Sequence, residues 1–175
     1  MAQSAAGWLA VRRFSRQAPA LPLDRPPVTL LKPLHGDEPM LEQALRGFIL
    51  QDYPALQIVF GVQDANDPAI AVVQRLRSEF PIRDLCLVID PLQHGANRKV
   101  GNLINMLPHA VHDLIVIADS DVHARPDYLR SLAATLQEPG TGLATTLYVG
   151  LPAGSGAIQA LGASQINHVF LPGAV

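Results

Sequence analysis

Short apolar runs rich in branched residues alternate along this chain with stretches whose apolar positions recur every three or four residues, a pattern of strands and helices in turn. Residues 28–31 read as a first strand and run into a turn-rich loop, 32–39. Met40, Leu41, Ala44, Leu45, Phe48 and Ile49 then predict a helix over 40–50. The next strand is 58–62, followed by a helix over 70–80 whose apolar face holds Ile70, Val73, Leu76 and Phe80. A third strand, 85–89, leads through a polar loop to a helix over 100–108, and a fourth, 114–118, precedes a helix over 128–136. Residues 143–149 and 157–170 add an expected strand and an expected helix. Strands alternating with helices of this length predict an α/β fold, a mostly parallel sheet covered by helices on both faces.

The two ends follow other patterns. Residues 5–11 are apolar and precede Arg12, Arg13 and Arg16, which reads as a short membrane-proximal segment with its positive charge on the cytoplasmic side. Pro19, Pro22, Pro26 and Pro27 make 17–27 an extended linker, so residues 1–27 stand apart from a folded part, 28–175. No stretch approaches the roughly 20 apolar residues of a spanning helix. From 139 to 175 there is no Asp, Glu, Lys or Arg, and the chain stops without a capped final element, as a truncated domain would.

Composition narrows the class further. With 175 residues, 49% hydrophobic and 16% charged, one globular domain with a sizeable core is expected. A formal net charge of -2 supplies no field for nucleic acid, so any anion must be held by local groups. Cys86, the only cysteine, lies within the apolar run 85–89 and reads as a buried thiol; without a disulfide framework the chain suits a reducing compartment.

The fourth strand delivers Asp119 and Asp121 at its carboxyl end, where open α/β sheets bind ligands. An Asp-Ser-Asp there suggests a divalent cation holding a phosphorylated substrate; it also reads as an acidic turn with one Asp capping the next helix. Asp64 ends the second strand on the same edge. Asp67, before Pro68, is the better cap for helix 70–80, which leaves Asp64 without a structural role and free for a ligand. In the loop 97–102, Arg98 and Lys99 meet a helix N-terminus, an anion site that lacks the spacing of a P-loop. Cations in a first helical turn oppose the helix dipole, and bound phosphate would account for them. His35, His94 and His123 fall in loops at this edge without an assigned role, and His109 and His112 read as surface residues.

Four motifs in order, Lys32-Pro-Leu-His-Gly36, Val62 to Ala69, the Asn97 to Asn102 loop and Ala118-Asp-Ser-Asp121, resemble the ceramide-glucosyltransferase-like glycosyltransferases of family 2/21 type, including the bacterial hopanoid-associated members. The resemblance covers residues 28–150 and implies a GT-A fold, with a Rossmann-like half that binds a nucleotide sugar. It implies that Asp64, Lys99, Asn102 and Asp119 bind the donor and that Asp119 and Asp121 hold Mg²⁺ or Mn²⁺ on its diphosphate. The implied activity is inverting, metal-dependent transfer of a hexose or N-acetylhexosamine from a UDP-sugar to a lipid hydroxyl, ceramide or hopanoid, at the cytoplasmic face of a membrane such as the bacterial inner membrane. The family's third aspartate, its general base, and its Gln/Arg-x-x-Arg-Trp motif would lie beyond Val175, since Trp8 is the only tryptophan. Residues 1–175 are therefore expected to be a donor-binding portion with little or no activity alone. Two other readings stay open: a non-catalytic nucleotide-sugar-binding remnant, and a phosphoaspartate-type phosphohydrolase with Asp119 as nucleophile and Asp121 as acid/base. The second fits poorly, because two βα units and Lys99 precede the motif and no lysine follows it.

Overall fold

The computed structural model describes residues 2–16, 24–152 and 154–167. Two compact units divide the chain, one formed by 22–134 and the other by 1–21 with 135–175. The first holds four parallel strands, β1 (Val28–Pro33), β2 (Leu56–Val62), β3 (Asp84–Ile89) and β4 (Leu114–Ile117), in the order β3-β2-β1-β4. Every residue of β1 and β2 is buried, as expected of central strands covered on both faces.

The chain steps from β1 through α2 (Leu41–Ile49) to β2, and through α3 (Ala69–Glu79) to β3. It then returns by α4 (Arg98–Met106) to β4, on the far side of β1. That reversal places the topological switch point between β1 and β4, where such sheets form their ligand crevice. Helix α4 covers one face, with Met106 packed among Leu31, Val59 and Val88. On the other face, α2 and α3 are joined by Arg46, which bonds both Glu42 and Glu79, and by Arg75 to Glu42. Helix α5 (Tyr128–Leu136) meets α2 through an edge-to-face contact of Phe48 and Tyr128.

At the amino edge the buried polar groups satisfy one another. Thr29 Oγ1 donates to Gln57 Oε1, which also accepts from the Val111 N–H. The expected helix over 100–108 starts two residues earlier, at Arg98, because Asn97 caps it. Its α-helical part ends at Met106, and one 3-10 turn at Leu107–His109 accommodates Pro108.

In the second unit, helix α1 (Ala2–Ser15) contains the apolar stretch 5–11. Among the described residues no helix is long and apolar enough to cross a membrane. The expected strand at 143–149 is not formed: this segment has no ladder partner, and Leu143 is 86% exposed. The expected helix over 157–170 is α6 (Ala157–Gln165), and the reading for 168–170 lies outside the described residues, as does most of the linker.

Candidate functional site

The ladder between β1 and β4 runs to a bond from the Ala118 N–H to the Leu31 carbonyl. Pro33 has no N–H with which to extend it, so the chain leaves the sheet at Asp119 and turns through Ser120 to Asp121. Asp119 and Asp121 are exposed at the mouth of the switch-point crevice, while Ser120 between them is buried. The loop that follows is tied down from below: the Gln51 amide donates to the Arg125 carbonyl, and its Oε1 accepts from the Leu129 N–H.

Helix α4 brings a cation to this turn. Asn97 accepts from the Val100 N–H at 3.1 Å, capping the helix, so Lys99 lies in its first turn and its Nζ pairs with Asp119 Oδ1. Both side chains of this pair are about half exposed. Asn102 follows Lys99 by three residues. It is buried, and its Nδ2 donates to the Gly61 carbonyl at 2.8 Å, which fixes α4 against the end of β2. The loop before α4 is held by Asn105, which donates to the Asp90 and Leu92 carbonyls and bonds His94 Nε2 through Oδ1.

Asp64 lies at the same edge beyond β2, about 10 Å from the β4 line at two strand spacings. It is not free of structural work: Oδ1 accepts from the Asn66 N–H at 2.8 Å in a local turn, although the side chain stays exposed. Asp67 is the cap expected of it and more. Its buried carboxylate accepts from the Ala69 and Gly36 N–H groups and lies 3.5 Å from His35 Nδ1, knitting the loops after β1 and β2 together. His123 is half-buried in the loop after Asp121. Cys86 is half-buried rather than enclosed, and burial pushes its thiol pKa up, which leaves it unreactive.

Lys32 was missed. Sequence reasoning ended the first strand at Leu31 and left Lys32 in a loop, whereas β1 continues to Pro33 and Lys32 is fully buried. Its Nζ donates to the Asp119 carbonyl and stands 4.2 Å from the centre of the Phe48 ring. Burial lowers its pKa from 10.5 to about 7, against the opposing pull of Asp121, Asp119 and Glu38. The available signal was a lone cation late in the largely apolar run Val28 to Leu34, whose one other polar residue is Thr29.

No three metal-ligating side chains converge among the described residues. The donor set nevertheless fits a hard divalent cation of the kind held by one or two carboxylates and completed by substrate phosphate: Asp119 and Asp121 are exposed on one turn, and Lys99 already occupies one as a counter-cation.

The model of glycosyl transferase family 21 matches residues 1–175. The chain is 32% identical over 121 residues to a ceramide glucosyltransferase of Candida albicans, covering 62% of this chain and 22% of that protein. Against ceramide glucosyltransferase 1 of Caenorhabditis elegans the identity is 30% over 111 residues, covering 63% and 24%. The chain thus spans about a fifth to a quarter of the length of these curated relatives. Among solved structures, the mannosyltransferase PcManGT of Pyrobaculum calidifontis, in complex with GDP-Man and Mn²⁺, superposes with a TM-score of 0.60 at 26% identity, over 79% of this chain and 42% of that one. Residues 1–349 of S. aureus TarS with UDP-GlcNAc share the fold, with a TM-score of 0.52 at 17% identity over 69% and 38%. The fold is that of the GT-A glycosyltransferases.

Proposed function

The chain belongs to glycosyl transferase family 21, and on that premise we propose that its switch-point edge binds the nucleotide-sugar donor of a lipid glycosyltransferase. The observation that carries this reading is the meeting of Lys99 with Asp119 beside Asp121, at the one edge where a sheet of this topology binds ligands. The donor is a UDP-sugar, UDP-glucose or UDP-N-acetylglucosamine, and the acceptor a lipid hydroxyl of ceramide or hopanoid type. The ceramide glucosyltransferases among the relatives support the lipid acceptor. The likeness to a mannosyltransferase with Mn²⁺ supports metal use. The full protein acts at the cytoplasmic face of a membrane.

Transfer breaks the bond between the sugar C1 and the diphosphate oxygen and forms one from C1 to the acceptor oxygen, with inversion, the acceptor hydroxyl's proton passing to a general base. Charge collects on the departing diphosphate. Asp119 and Asp121 would hold Mg²⁺ or Mn²⁺, which when bound neutralises part of that charge. Lys99 supplies a further positive charge beside it, and Asn102 fixes the helix from which Lys99 projects. Asp64 binds the nucleoside end, reached along the edge from β4 to β2.

The test is a calorimetric panel of UDP-glucose, UDP-N-acetylglucosamine and GDP-mannose with Mn²⁺, beside a transfer assay onto ceramide. The expected result is binding of the UDP-sugars and not of GDP-mannose, with no detectable transfer by residues 1–175 alone. Preference for GDP-mannose would overturn the donor assignment, and transfer by this chain would overturn its assignment as a donor-binding portion.

A further inference from the structure

Lys32 stands out among the buried groups. An ammonium removed from water costs several kcal/mol unless it is well paired, and the contacts here are one carbonyl and one aromatic face. A methionine or leucine would fill this position on the sheet at lower cost to the fold. The carbonyl Lys32 holds is that of Asp119, the first residue past the β1–β4 ladder bond at Ala118; it also accepts the Val122 N–H across the turn, so Lys32 is what joins that turn to β1. The Phe48 ring of α2 stands against the ammonium as a cation–π partner. The acidic side chains that act on its charge, those of Asp121, Asp119 and Glu38, come from the two loops that border the crevice.

We propose that Lys32 is a positioning residue of the metal–diphosphate site, its Nζ anchoring the Asp119 carbonyl and so setting the direction in which the Asp119 and Asp121 carboxylates leave the sheet. This rests on the donor-site reading above. An amine donates this hydrogen bond whether or not it carries the extra proton, so the role does not depend on its charge. Without the bond the turn loses its tie to the β1 strand beneath it, and with that tie the direction of the two carboxylates.

The experiment is Mn²⁺ binding followed by electron paramagnetic resonance, with and without UDP, on the full chain, on Lys32→Met and on Asp119→Asn. Circular dichroism and a urea melt accompany each. Lys32→Met keeps the stem and volume and removes the donor; it is expected to stay folded and to bind Mn²⁺–UDP about tenfold more weakly, the size of one lost intramolecular hydrogen bond. Lys32→Gln keeps a shorter donor and is expected to fall between the two. It carries the comparison if the methionine variant fails to fold. Wild-type affinity in a folded Lys32→Met, with binding lost in Asp119→Asn, would overturn the role of Lys32 and leave the donor site standing. No binding by the folded wild-type chain, or binding unaffected by Asp119→Asn, would overturn both.

Discussion

A lysine inside a sheet has consequences for stability that can be separated from its role at the site. Burial lowers the Lys32 pKa to about 7, while in the unfolded chain it returns to 10.5. Below pH 7 both states hold the proton, and the fold bears the full cost of the buried ammonium. Between about 7 and 10.5 the unfolded state binds the extra proton, so stability rises with pH across that window and levels off above it. The span corresponds to a cost on the order of 3–5 kcal/mol at low pH. Lys32→Met is therefore expected to be more stable than wild type at pH 6 by a few kcal/mol, with the gap closing toward pH 10, as urea melts at pH 6, 8 and 9.5 would show. An equal slope with pH in both proteins would place the shift elsewhere. At this scale the sequence was legible where a residue advertises its chemistry. The placement of Asp119 past a strand end, of Lys99 in a first helical turn and of the cap at Asp67 could be read, because each follows from where a strand ends or a helix starts. Lys32 could not be read, because its position depends on how far β1 extends, and the bond of Asp64 to the Asn66 N–H could not be read, because it is formed by turn geometry that spacing does not reveal.

Elements were legible where periodicity was strong. Helix α5 falls on the expected residues, and α2, α3 and all four strands fall within two residues of expectation, since buried strands and one-sided helices leave a clear mark on the sequence. The missing strand at 143–149 shows the limit: β-propensity describes a residue's fit to a sheet, and a strand needs a neighbour to pair with. The close packing of α4 on β2 gives an element-scale prediction. A Cβ at Gly61 would meet Met106 Cγ and Sδ at 2.4 Å and Asn102 Oδ1 at 2.6 Å. Met106 can shift, but Asn102 is fixed by its bond to the Gly61 carbonyl. Gly61→Ala is expected to destabilise the fold by about 1–3 kcal/mol and to push α4 outward, measurable by chemical denaturation. An unchanged midpoint would mean that α4 is more loosely seated than its contacts indicate.

For the whole molecule, the order β3-β2-β1-β4 does what no single motif does. By reversing direction between β1 and β4 it opens the crevice there and gathers Lys32, Asp119 and Asp121 at one mouth, with Lys99 reaching in from α4. The parallel sheet and the loops at its carboxyl edge followed from the alternation of elements, whereas the strand order is a long-range property that the linear pattern leaves open. The nucleotide site proposed here is one that Asp119 and a divalent cation form together. The decisive experiment is calorimetric titration of UDP into the wild-type chain and Asp119→Ala, each with Mn²⁺ and with a chelator. Wild type is expected to bind only with Mn²⁺, and an Asp119→Ala protein whose circular dichroism is unchanged is expected not to bind. UDP binding that is equally tight with the chelator, or undiminished in the folded variant, would contradict this assignment.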